Sequence, residues 1–265
     1  MLEKEGNVYS KSKRSQVTVF IIIAVLIIAA AILIYIFWPK IGGIIGEKTE
    51  VTPESFIRNC LEDTVDSVVG NISMQGGSLN PEHFYMYKGN KIEYLCYAEA
   101  YYEKCTMQQP MLYKNVGEEI ITGIKEKEEF CFDELKKEYE SQGYSITIAN
   151  NGATTAELLP QRVLVNFDRT IIINKGDTKK TINGLKIILN NNLYEHIGIT
   201  TSILGYETNL GDSETTTYMN IYPDLKVEKY KQGEGTTIYI LTNREGNGVF
   251  QFASRSMAWP PGYGI

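Results

Sequence analysis

Histidine is nearly missing from this chain. Only two occur among 265 residues, His83 and His196. That leaves little material for His-based metal sites or His-driven acid–base chemistry. Neither has a partner at a telling spacing: His83 follows Glu82, and His196 follows Glu195. His196 reads as a surface or satisfied core residue. No GxxxxGK[ST], GxSxG or HExxH signature occurs, and "GATT", "GDT" and "GDSETT" read as loops. A basic excess is missing as well. Lys and Arg total 26 against 32 Asp and Glu, a net charge of -6, with no basic stripe to meet a nucleic acid. Glu62, Asp63 and Asp66 lie on one helix without EF-hand spacing. The sequence therefore offers no catalytic residue, no metal site and no cofactor, and the expectation is a protein that is not an enzyme.

Long apolar runs are also scarce, with one exception. Val17 to Trp38 is 22 residues long, and Thr18 is its one polar residue. About 20 such residues span a bilayer as a helix. Lys11, Lys13 and Arg14 crowd its N-terminal side, whereas Pro39, Lys40, glycines and Glu47 follow it. The positive-inside rule then places residues 1–15 in the cytoplasm and 40–265 outside. The run is longer than a secretory signal core and ends in Tyr35, Phe37 and Trp38, an aromatic set suited to an interface.

Four cysteines, Cys60, Cys96, Cys105 and Cys131, lie in the first half of the exterior part. An oxidising exterior permits disulfides. Three pairings are possible. Cys60–Cys131 with Cys96–Cys105 is favoured because it nests a short loop inside a long one. No CxxC spacing supports zinc instead. Asn71-Ile72-Ser73 is an N-glycosylation acceptor, accessible if the domain lies outside.

"TPESF" opens a helix, with Thr52 as N-cap, Pro53 in the first turn and Glu54 at the positive end. Phe56, Ile57, Cys60, Leu61, Val65, Val68 and Val69 give it one apolar face. A second helix is expected over 116–142, with Ile120, Ile124, Cys131, Leu135 and Tyr139 inward and Glu128 interrupting that face. Between them, "KGNK" marks a hairpin joining Phe84–Lys88 to Ile92–Ala100. Tyr85, Tyr87, Tyr94, Tyr97, Tyr101 and Tyr102 either stabilise that sheet or form a sugar- or partner-binding surface, the former being favoured. After Tyr144 the pattern becomes short strands: "YSITIA", "RVLVNF", "TIIINK", "GLKIILN", "TTTYMNIY", "LKVEKYK", "TTIYILTN" and "VFQFAS". One helix interrupts them at about 191–205. Trp259 to Tyr263, "WPPGY", is either a contact segment or a docked terminus.

The expected fold class is thus α+β: a single N-terminal transmembrane helix, then an exterior domain with two amphipathic helices and a mostly antiparallel β region. The expected organisation is a cytoplasmic basic leader (1–15), a transmembrane helix (16–38) and a connector (39–51). A cysteine-containing helical and hairpin subdomain (52–143) and a β-rich subdomain (144–265) follow.

Lys13-Arg14, Ser15 and Gln16-Val17-Thr18-Val19-Phe20 ahead of an apolar helix resemble the class III signal of archaeal type IV pilins. The resemblance implies cleavage by a prepilin peptidase between Ser15 and Gln16, and packing of like subunits into a filament. Phe20 stands where many pilins carry glutamate. The pieces "FIRNCLED", "MQGGS", "FCF", "IIINKGDT", "INGLKIIL" and "FQFASRS" look like membrane-anchored surface proteins of DPANN archaea, which implies an archaeal envelope location. The functional expectation is a non-enzymatic, membrane-anchored surface protein: a pilin-like filament subunit, minor pilin or adhesin. The alternatives are a permanently anchored extracytoplasmic binding or envelope protein, with a cell-surface partner and no nucleic acid, and, less favoured, an anchored enzyme.

Overall fold

The computed structural model describes residues 21–29, 32, 52–244, 248–260 and 262. Residues 21–29 are helical and exposed. No helix among the described residues is long and apolar enough to cross a membrane. The transmembrane helix expected over 16–38 is therefore withdrawn from the fold. Ser15, Gln16 and most of the 16–38 run lie outside the described residues.

Residues 52–265 form one compact unit. Its first helix, α1 (Pro53–Met74), starts as its sequence dictates: Thr52 Oγ1 accepts the Ser55 amide at 3.2 Å, and Pro53 occupies the first turn. Helix α2 (Leu112–Ser141) begins earlier than expected, because Leu112 and Val116 extend its buried stripe by one turn. The Cys60–Cys131 bridge joins the two helices, with a Cα–Cα distance of 6.0 Å. Near the other end, Gly123 faces Val68: a Cβ on Gly123 would stand 2.7 Å from Val68 Cγ1. Those two pairings make the helices antiparallel and closely packed.

Two sheets flank this helical layer. The first has six strands in the order β1-β2-β10-β9-β8, with β3 beside β2. These are β1 (Phe84–Tyr87), β2 (Asn90–Tyr97), β3 (Thr106–Met107), β8 (Leu225–Lys231), β9 (Thr236–Asn243) and β10 (Val249–Arg255). It is mixed rather than purely antiparallel, since β10 pairs with β2 in parallel. The second sheet comprises β4 (Ser145–Asn150), β5 (Thr155–Leu159), β6 (Arg162–Lys175) and β7 (Thr178–Asn190). Helix α1 packs on both β10 and β7, α2 packs on β4 and β5, and α3 (Leu193–Leu210) touches β10, β2, β6 and β5. One continuous core runs through all three layers.

Two strand expectations change. "RVLVNF" and "TIIINK" form the single strand β6, whose register shifts between Phe167 and Thr170. Phe167 and Ile171 are both fully buried, and Arg169 between them reaches across to α2. There Arg169 pairs at 2.7 Å with Glu128, the residue that breaks the apolar stripe, and Thr154 donates to the same carboxylate at 2.9 Å. "TTTYMNIY" contains not a strand but the short helix α4 (Thr216–Ile221). The Glu214 carboxylate accepts the Thr216 amide at 2.9 Å, and buried Tyr218 hydrogen-bonds Ser202 of α3 at 2.8 Å. Helical capping and that tertiary anchor outweigh the β propensity of the threonine run.

Candidate functional site

Helix α3 has two unlike faces. Leu193, Ile197, Ile203 and Leu204 go into the core. Tyr194, Gly198, Ser202, Tyr206 and Leu210, each four residues from the next, line a cavity of about 1080 Å³. The helix is bounded by Asn191, whose side chain accepts the Leu193 amide at 2.8 Å, and by Gly211 at φ 84°. A side chain on Gly211 would meet Met257 as well as the unfavourable backbone region, so glycine is required there.

Three other elements wall the cavity. Tyr113 reaches in from α2 and donates to the Tyr194 carbonyl at 3.0 Å. Gln161 comes from the β5–β6 turn. Helix α4 and the turn after it contribute Ile221, Tyr222 and Asp224. Leu210, Ile221, Tyr222 and Tyr206 are 70%, 62%, 51% and 50% exposed. Four large apolar or aromatic side chains this open around one cavity form a patch of the kind that marks binding surfaces.

The electrostatics are one-sided. Glu195, Asp212, Glu214 and Asp224 line the groove, and among the described residues no Lys or Arg does. Asp212 is matched by Lys229, which bonds it, and by Lys231 at 3.6 Å. Burial works to raise the Asp212 carboxyl, but the Lys229 bond and the two lysine charges hold it below its ordinary range. The Thr216 hydrogen bonds draw the Glu214 carboxyl down. Glu195 Oε1 accepts the Gln161 amide at 2.9 Å, whereas its Oε2 is enclosed without a partner. His196 is 3% exposed, and burial pushes its imidazole down to about 4, so it is neutral at pH 7. No hydrogen bond reaches its ring among the described residues. The enclosed hydroxyls of Thr200 and Ser213 are likewise unpartnered. Glu195 and His196 thus form no hydrogen-bonded acid–base pair. The groove offers aromatic faces, fixed carboxylates and one neutral imidazole, equipment for holding a ligand.

Of the residues singled out in the sequence, His196, with Glu195 before it, lines the groove, and the cysteines, Asn71 and the hairpin tyrosines lie elsewhere. Cys60 bridges Cys131, and Cys96 bridges Cys105 across nine residues, fastening β2 to the loop before β3. Asn71 is exposed in the last turns of α1, but Ser73 of its acceptor triplet is buried and bonds the Val69 carbonyl at 2.7 Å. Tyr85, Tyr87, Tyr94 and Tyr97 cover Ile92, Ile238 and Ala253 on the outer face of the six-stranded sheet. That is packing, as the sheet-stabilising reading holds. Tyr101 stacks with Arg255, which also bonds the Ala98 and Glu99 carbonyls, and Tyr102 meets Trp259 edge-on at 5.1 Å. Pro261 and Tyr263 of the terminal segment lie outside the described residues. Among those described, no group of three or more His, Cys, Asp or Glu is placed to hold a metal ion.

The groove itself was missed in the sequence. Its signal was the four-residue stripe Tyr194-Gly198-Ser202-Tyr206, aromatic and small residues on the outside of an otherwise apolar helix. Reading "TTTYMNIY" as a strand removed the opposite wall. No protein-family description matches the chain, no curated protein is similar to it, and no solved structure resembles it.

Proposed function

We propose that the chain is a non-enzymatic extracytoplasmic surface protein of the archaeal type IV pilin-like kind, displaying residues 52–265 as a binding domain. The observation that carries this is the cysteine chemistry. Every cysteine is in a disulfide, and such bridges persist in oxidising compartments and are rare in reducing ones. The groove beside α3 supplies a binding surface, and its Glu195 and His196 are not coupled as a catalytic pair. The Ser15-Gln16 junction supplies the processing signal, so that a prepilin peptidase and like subunits are the expected partners. The alternative is a surface protein that keeps residues 1–15 and uses the same groove to bind the envelope or another cell. Within the pilin-like reading, the size of the 52–265 domain suits a minor pilin or adhesin better than a major filament subunit.

N-terminal sequencing and thiol trapping of protein taken from native envelopes test the reading. A mature terminus at Gln16 with no free thiol is expected for the filament subunit. An intact leader selects the alternative, and four free thiols would sink both.

A further inference from the structure

The lining of the groove also indicates what it binds, granted that it is a binding site. We propose that it takes an elongated alkyl polyamine, whose ammonium groups meet the groove carboxylates and whose methylene runs lie against the tyrosines. Three observations converge. The first is charge: among the described residues, four carboxylates and no Lys or Arg line the cavity. Asp212 is paired with lysines and the Lys229 charge also acts on Glu214, while Glu195 and Asp224 form no ion pair among the described residues. Like charges on facing walls repel until a cation joins them.

The second is spacing. From Tyr194 to Leu210 the wall climbs 16 residues of α3, roughly 24 Å at 1.5 Å each. Glu195 stands at one end, Asp212 and Glu214 lie just past the other, and Asp224 is on the opposite wall. Separated carboxylates suit a chain with separated charges better than a compact ion. Tyr113, Tyr194, Tyr206 and Tyr222 line the same groove, and their faces attract ammonium groups and shelter methylenes.

The third is hydrogen-bonding capacity. Glu195 Oε2 is enclosed and accepts nothing. His196 is nine-tenths buried, lines the cavity and has no bond to its ring. An ammonium supplies the donors both lack. Burial keeps His196 neutral, so it adds no opposing charge. A neutral glycan would also stack on the tyrosines, but it would leave Glu195 and Asp224 without a cation.

The test uses full-length, oxidised protein in a mild non-ionic detergent, which shields the apolar 17–38 run from self-association. Spermine and maltoheptaose are titrated separately by calorimetry. Saturable spermine binding that weakens with salt is expected. Glu195→Gln and Asp224→Asn should each weaken it about tenfold, the loss of one charge-assisted hydrogen bond. Tyr206→Ala, at a half-exposed position, should weaken it with unchanged circular dichroism. Spermine affinity that is equal in wild type, Glu195→Gln and Asp224→Asn overturns the proposal, as does the lack of saturable binding. If maltoheptaose binds and spermine does not, the polyamine falls while the binding role of the groove stands. If neither binds, both fall.

Discussion

The two disulfides should differ in worth, and their loop lengths set by how much. Cys60 and Cys131 are 71 residues apart, Cys96 and Cys105 nine. A crosslink restricts the unfolded chain more when it closes a longer loop. The chain-entropy relation gives about 4.4 kcal/mol for the long loop and about 2.6 for the short one at 25 °C. The buried surroundings do not overturn that order. Cys131 is fully buried and Cys60 partly so, while Cys96 and Cys105 are both buried. Sulfur burial therefore adds comparable amounts to both. The double variants Cys60→Ala/Cys131→Ala and Cys96→Ala/Cys105→Ala isolate each bridge. Equilibrium urea unfolding at pH 7 should show the first losing about 2 kcal/mol more than the second. In melting temperature the long-loop variant should fall by about 10 °C or more, given roughly 2–4 °C per kcal/mol for a domain of this size. An equal or larger loss from the nine-residue bridge would refute the loop argument. Stability would then reside in how β2 is held to the β3 loop and not in the restricted unfolded chain.

Three further outcomes are expected. The His196 imidazole sits at about 4 in the fold against 6.5 unfolded, so the unfolded chain binds more protons between those values. Its contribution is complete above pH 6.5 and declines as pH falls toward 4, by roughly 2–3 kcal/mol at pH 4.5; His196→Gln should flatten that part of the urea-unfolding profile, and parallel profiles would reject it. Arg169→Met strands the Glu128 carboxylate, which is 5% exposed, and should cost about 3–5 kcal/mol. Glu128→Gln should cost less in the same assay, because Arg169 is 18% exposed and reaches water. Gly117→Ala puts a Cβ 2.7 Å from the Ala156 carbonyl oxygen and should destabilise by about 1–3 kcal/mol. Gly70→Ala, with nothing within 4 Å on an exposed helical face, should stabilise by about 0.5–1 kcal/mol, and thermal melts of the pair should therefore move in opposite directions.

Local chemistry made much of the exterior fold legible. The Thr52 cap, the stripe of α1 and the Lys88-Gly89 turn each act over a few residues, and each appears where the sequence placed it. Long-range pairing was not legible. Nothing near Ala253 signals that β10 lies parallel to β2, some 150 residues earlier, because parallel pairing leaves no turn to read. Glu128 looked like a flaw in α2 because its partner, Arg169, lies 41 residues away on β6. The same limit hid the groove. Tyr218 determines α4 by reaching Ser202 in another helix, a contact that no window around "TTTYMNIY" contains.

The distribution of unpaired polar groups separates stability from function in this domain. Buried charge is satisfied away from the groove. Glu128 has Arg169 and Thr154, Arg255 has three backbone carbonyls, and Glu207 is held by Tyr239 and Ser254. Burial raises the Glu207 carboxyl, and those two donors partly oppose it. The enclosed oxygens left without partners among the described residues are Glu195 Oε2, Thr200 Oγ1 and Ser213 Oγ. All three belong to α3 or the turn just after it, and bond-free His196 joins them. An unmade buried hydrogen bond costs about 1–3 kcal/mol. Of these groups, only Glu195 and His196 line the groove, beside its open tyrosines, where a ligand can reach them; Thr200 and Ser213 do not line it. The burden of proof therefore falls on Glu195: if Glu195→Gln leaves both ligand affinity and stability unchanged, the unpaired oxygen is incidental and the groove has lost its strongest mark.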